Sequence, residues 1–112
     1  MALSSEKLDL LSGTLEMLVL RTLTIQPLHG YAIAQRIHQI TSDVLQIEEG
    51  SLYPALQRML RKGWVSAKWG TTAGNRRARY YRLTAAGRRQ LTTEISEFSR
   101  VFQAIARVVE TT

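Results

Sequence analysis

The chain contains no cysteine, which excludes disulfide scaffolds, thiolate zinc sites and thiol nucleophiles together. Its two histidines, His29 and His38, stand apart, and His38 has no carboxylate at zinc-ligand spacing, so no metal site is expected. Apolar runs never exceed four residues (Met17 to Leu20), too short for a membrane-spanning helix or a signal-peptide core. There is no Ser-His-acid set, no phosphate-binding glycine loop and no paired carboxylates in a plausible pocket. A non-enzymatic cytoplasmic protein without a cofactor is therefore expected.

One further absence is informative. No acidic residue occurs between Gly50 and Thr93, while ten basic residues do: Arg58, Arg61, Lys62, Lys68, Arg76, Arg77, Arg79, Arg82, Arg88 and Arg89. The whole chain has 112 residues and a net charge of +6, so the remainder sums to 6 − 10 = −4. Such polarity suits a polyanion, either nucleic acid or an anionic membrane surface. The 45% apolar content is that of a folded protein rather than a basic tail. The length fits one small domain, with or without an added element, and a domain of that size gains from oligomerisation.

Periodicity supplies the elements. The lead 1–12 carries Leu3, Leu8, Leu10 and Leu11, too apolar for a free tail, so it is expected to dock. Ser12 or Gly13 can cap a first helix whose apolar face is Leu15, Leu18, Val19 and Leu23, ended by Pro27. Leu28 to Tyr31 reads as a turn into a second helix, 31–41, with Ile33, Ile37 and Ile40 on one face. After a connector, a third helix is expected from about Ser51, with Pro54 in its first turn and Gly63 as a left-handed C-cap. Its face of Leu52, Leu56, Met59 and Leu60 is apolar, and its opposite side is polar and basic. Residues 64–69 and 79–83 read as a β-hairpin with a long, basic loop. Thr84 can cap a last helix running towards Glu110.

In that last helix Leu91, Ile95, Phe98, Phe102, Ile105 and Val109 are spaced 4, 3, 4, 3, 4, the repeat of a coiled-coil seam. At 1.5 Å per residue the helix is about 39 Å long, against a radius of gyration of about 13 Å for a compact domain of this size. Much of it must project, and a symmetric homodimer is the simplest cover. Leu8 and Leu11 are grouped with this seam. The fold expected is a mostly α, α+β winged helix-turn-helix: residues 1–83 bind DNA, and 84–112 form a dimerisation helix.

The basic side of the third helix suits a DNA major groove, about 12 Å wide. Gln57 is placed to pair with adenine, and Arg58 either reads guanine or holds phosphate. Arg76, Arg77 and Arg79 can reach phosphates or a minor groove from the hairpin. Arg61 and Lys68 complete the expected DNA-binding set.

Four segments occur in order: Leu28-His-Gly-Tyr-Ala-Ile, Glu49-Gly-Ser-Leu-Tyr-Pro-Ala-Leu, Lys62-Gly-Trp-Val and Tyr80-Tyr-Arg-Leu-Thr-Ala-Ala-Gly87. Together they resemble the PadR family of bacterial transcriptional regulators over about residues 12–90. The resemblance implies a winged-helix homodimer on an inverted-repeat operator, acting as a repressor at the bacterial nucleoid. It implies that Ser51, Tyr53 and Pro54 open the groove-facing helix and that Tyr31 touches backbone phosphate. Tyr53 has a second reading as a core or capping aromatic. The short C-terminal part resembles the compact subgroup, whose members take aromatic effectors at the dimer interface. Phe98 and Phe102 then either pack the seam or stack on such an effector. Trp64 and Trp69 either pack the hairpin against the helices or join that cavity. A winged-helix protein-interaction module is the alternative from another class.

Overall fold

The structure, a computed structural model, describes residues 3–4 and 13–111. Leu8, Leu11 and Ser12 lie outside the described residues. Within them the order is β1 (Leu3–Ser4), α1 (Thr14–Thr22), β2 (Leu28–His29), α2 (Gly30–Ile40), β3 (Leu45–Gln46), α3 (Glu49–Arg61), β4 (Val65–Thr71), β5 (Arg77–Leu83) and α4 (Ala85–Glu110). β1 pairs in parallel with β3, and β2, β5 and β4 form an antiparallel sheet in that spatial order. The fold is α+β, of winged-helix type.

The apolar faces read from periodicity close on one another. Leu15, Val19 and Leu20 of α1, Ile33 and Ile37 of α2, and Leu52, Leu56 and Met59 of α3 are buried together. Val65, Tyr81 and Leu83 of the sheet close this core from one side. Each fully buried aliphatic side chain contributes about 1.5–3 kcal/mol. Ile40, assigned to the α2 core face, is instead exposed, because α2 ends there.

Several boundaries differ from the periodicity reading. α1 stops at Thr22, short of Pro27. α3 starts at Glu49, so Pro54 sits inside the helix, past the first turn. Its ring denies the Gly50 carbonyl a helical hydrogen bond, a loss tolerated near a helix start. The hairpin strands extend to Thr71 and from Arg77, leaving a five-residue turn where a longer loop was expected. In that turn the Thr72 N–H donates to the Arg76 carbonyl (2.8 Å), the Arg76 N–H donates to Thr72 Oγ1 (3.2 Å), and Asn75 takes φ 60°. Leu28-His29 is more than a turn: it pairs with Tyr80-Tyr81 and makes the hairpin a three-stranded sheet.

α4 is welded to the wing's root. Thr84 Oγ1 accepts from the Gly87 N–H (3.0 Å) and donates to the Gly63 carbonyl (2.6 Å), and the Thr84 N–H donates to the Trp64 carbonyl (3.1 Å). A Cβ on Gly87 would overlap that same Trp64 carbonyl oxygen and press on Leu83 at 2.7 Å. Gly63 takes φ 74°, as a left-handed cap requires. Past Glu94 α4 leaves the body. The radius of gyration is 15.0 Å and the longest extent 57 Å, larger than a compact shape would have.

Candidate nucleic-acid interface

The α2–α3 connector sets the angle between those helices. Ser42 and Asp43 take φ 49° and 64°, reversing the chain after α2. Thr41 Oγ1 then accepts from the Leu45 N–H (3.1 Å), and His38 Nε2 accepts from the Ile47 N–H (2.7 Å). The His38 contact is absent from the sequence reading. Its signal is a tertiary meeting that no local spacing marks. An acceptor at Nε2 places the ring proton of neutral His38 on Nδ1.

Fixed in this way, α3 turns one stripe outward. Gly50, Tyr53, Pro54, Gln57 and Arg61 are exposed and recur at intervals of three and four, so they share a face. Ser51 lies beside the stripe, half-buried. The Tyr53 ring stands over Gly30 at the head of α2, where a Cβ would come within 2.9 Å of it. Tyr53 thus packs along one edge while remaining exposed, which joins the two readings given to it above. Tyr31, in the first turn of α2, is also exposed, and its hydroxyl accepts from Gln35 Nε2 (2.6 Å). His29 caps α2 by accepting the Ala32 N–H (3.3 Å), the turn role expected of it.

Arg58 is engaged within the chain. It does not lie in the stripe, and its Nε donates to Glu16 Oε1 of α1 at 3.2 Å. Sequence spacing cannot find this pair, because the residues lie 42 positions apart. Lys62 is also engaged, its Nζ 4.6 Å from the Trp64 ring centroid.

The wing brings the remaining cations together. Lys68 and Arg76 are exposed, and Arg79 stands opposite Trp69 in the β4–β5 register. The Arg77 guanidinium lies 5.0 Å from the Trp69 centroid. Trp69 is 57% exposed, so it does not pack the hairpin against the helices. On the other face Tyr80 closes over Gly70, donates its hydroxyl to the Thr71 carbonyl (3.3 Å) and takes the His29 ring edge-on. Wing and recognition stripe adjoin at Tyr81: burial pushes its hydroxyl above the ordinary value of 10.0, against the opposing pull of Arg79, and Tyr53 adds to the rise.

On α4, Leu91 must be reassigned. It is buried in the chain's own core, not in an external seam, because the first turns of α4 pack on α1. Ile95, Phe98, Phe102, Ile105 and Val109 are exposed, together with Val101 and Val108. The Phe98 and Phe102 rings stack with centroids 6.0 Å apart. At the boundary Glu94 is buried. Its Oε1 accepts from Gln90 Nε2 (3.1 Å), and its Oε2 has no partner among the described residues. Burial raises its carboxyl above the ordinary 4.5, opposed by the Gln90 hydrogen bond, and Glu16 and Glu97 add to the rise while Lys62 opposes it.

Among the described residues, no three His, Asp or Glu side chains converge as a metal site would require. No helix there is long and apolar enough to cross a membrane.

The sequence profile of the PadR-like transcriptional regulator family matches residues 19–93. A transcriptional regulator from Clostridium thermocellum superposes with a TM-score of 0.82 at 25% identity, covering 91% of this chain and 99% of its own. A PadR family transcriptional regulator from Eggerthella lenta gives 0.78 at 30% identity, covering 96% of this chain and 92% of its own. An uncharacterized protein of Lysinibacillus sphaericus is 30% identical over 102 residues, 91% of this chain and 94% of that one. The motif order, the outward stripe of α3 and the basic wing agree with these matches: the chain belongs to the PadR-like family of transcriptional regulators, which implies DNA binding.

Proposed function

We propose that the protein is a homodimeric repressor acting at the bacterial nucleoid on an inverted-repeat operator. In this reading residues 1–83 bind the DNA and residues 84–112 hold the dimer. The observation that carries it is the pairing of an outward α3 stripe, free of acidic residues from Gly50 onward, with an adjoining wing of arginines. Tyr53, Pro54 and Gln57, with Ser51 at their side, enter the major groove, and Gln57 supplies the most specific base contact. Tyr31, Arg61, Lys68, Arg76, Arg77 and Arg79 hold the backbone and set the register. The Glu16 pair withdraws Arg58 from base reading in the free protein. The exposed seam from Ile95 to Val109 supports self-association, since it is an apolar stripe that the described residues leave uncovered.

Selection from a random duplex library tests this reading. The expected product is an inverted repeat whose half-sites lie about 34–36 Å apart. Enrichment of no inverted repeat overturns the operator and leaves a winged-helix interaction module. Gln57→Ala should relax preference at one position by about 1–3 kcal/mol.

The stacked, exposed Phe98–Phe102 pair favours a second element, a flat aromatic effector bound between two copies that releases the operator. Titration with planar aromatic compounds checks it. Release that disappears in Phe102→Ala supports the site, and release unchanged by that substitution removes it.

A further inference from the structure

The Trp69 ring has no evident role in folding. It lies on the β4 face that carries Val65 and Ala67 into the core, but the strand has run past the core by that point. The opposite face is different: there Tyr80 is held by Gly70, Thr71 and His29. What Trp69 does touch is the guanidinium of Arg77, which lies over its ring. Arg79 is its cross-strand neighbour.

We propose that Trp69 is a positioning residue for DNA binding, holding Arg77 in the pose that meets a backbone phosphate. The cation–π attraction holds the guanidinium 5.0 Å from the ring centroid and uses up none of its N–H donors as hydrogen bonds to a side chain. Its five N–H donors lie in the plane and stay open to phosphate oxygens at the edge. An arginine on a bare strand swings through many rotamers and loses that freedom on docking, whereas one lying on an indole has lost part of it beforehand. The basic turn beside it is itself tied down by Thr72, so the pair sits on an ordered base.

This inference rests on the reading that the wing meets DNA, and the test separates the two. A short mixed-sequence DNA duplex is the probe, because a phosphate contact is independent of sequence. Binding is measured across a salt series for Trp69→Leu, Trp69→Phe, Arg77→Ala and the Trp69→Leu/Arg77→Ala double variant. Trp69→Leu should weaken binding about two- to fivefold per wing, the range for an exposed cation–π contact. Trp69→Phe should restore most of that loss. Arg77→Ala should reduce the log–log salt slope by about one per wing, about two for the dimer. In the Arg77→Ala background, Trp69→Leu should cost nothing more. The thermal midpoint of Trp69→Leu should stay at the wild-type value, since the ring lies outside the core. Wild-type binding by Trp69→Leu, or an equal loss with and without Arg77, overturns the positioning role alone. Unchanged binding and salt slope in Arg77→Ala overturn the wing reading and this inference with it.

Discussion

The two halves of α4 follow one spacing in different surroundings. Leu91 is 6% exposed, whereas Phe98 and Phe102, two and three steps along the same stripe, are 38% and 61% exposed. The early turns lie against α1, and past Glu94 the helix has left the body. The difference teaches that a heptad repeat specifies that a stripe must be covered, not what covers it. Here α1 covers the stripe at Leu91, and among the described residues nothing covers it past Glu94.

Four variants can break or sharpen that contrast. The largest effect is expected in the outer half. Phe98→Glu with Ile105→Glu puts four carboxylates into the proposed two-chain seam, at about 1–3 kcal/mol or more each, so self-association should weaken at least about a thousandfold. Sedimentation should then show a monomer whose helical circular dichroism is retained. A dimer that survives places the seam elsewhere. In the inner half, Leu91→Ala should cost about 2–5 kcal/mol of unfolding free energy, read from urea titration at fixed protein concentration. A cost below about 1 kcal/mol would return Leu91 to the seam. Gly87→Ala forces a methyl group against the Trp64 carbonyl and should cost about 1–3 kcal/mol, with α4 shifting on its base.

The smallest effect lies at the boundary. The folded-state pKa of Glu94 is raised, so the folded chain binds a proton that the unfolded chain has already released. The stability due to this group is fully present below about pH 4.5 and is lost as pH climbs from there through the raised value. Glu94→Gln should flatten that part of the stability–pH curve. An unchanged slope would place the titrating group elsewhere.

Much of this was legible before any coordinates. Helix faces, the Gly63 and Thr84 caps and the paired strands follow from period and turn chemistry, which are local. The outward α3 stripe follows too, because the residues that fill the core leave only one side free. The features that escaped are contacts between distant segments. His38 meets Ile47 across the connector, Glu16 meets Arg58 across 42 positions, and Leu28-His29 becomes a strand only because Tyr80-Tyr81 lies beside it. The exposure of Trp69 was missed for a related reason. An aromatic in a strand reads as core until the strand is seen to outrun the core.

The weld at Gly87 has a mechanical consequence. It joins α3's C-cap, the wing's root and the base of a 26-residue helix through one glycine and one threonine. Past Glu94 that helix's free arm, Ile95 to Glu110, is a stiff lever about 24 Å long. A tilt of about 8° moves its far end by about 3.3 Å, roughly the rise of one base pair. Read from the other end, whatever grips the tip of α4 sets the position of the recognition helix to within a base-pair step. A small displacement there is enough to move that helix out of register with its groove.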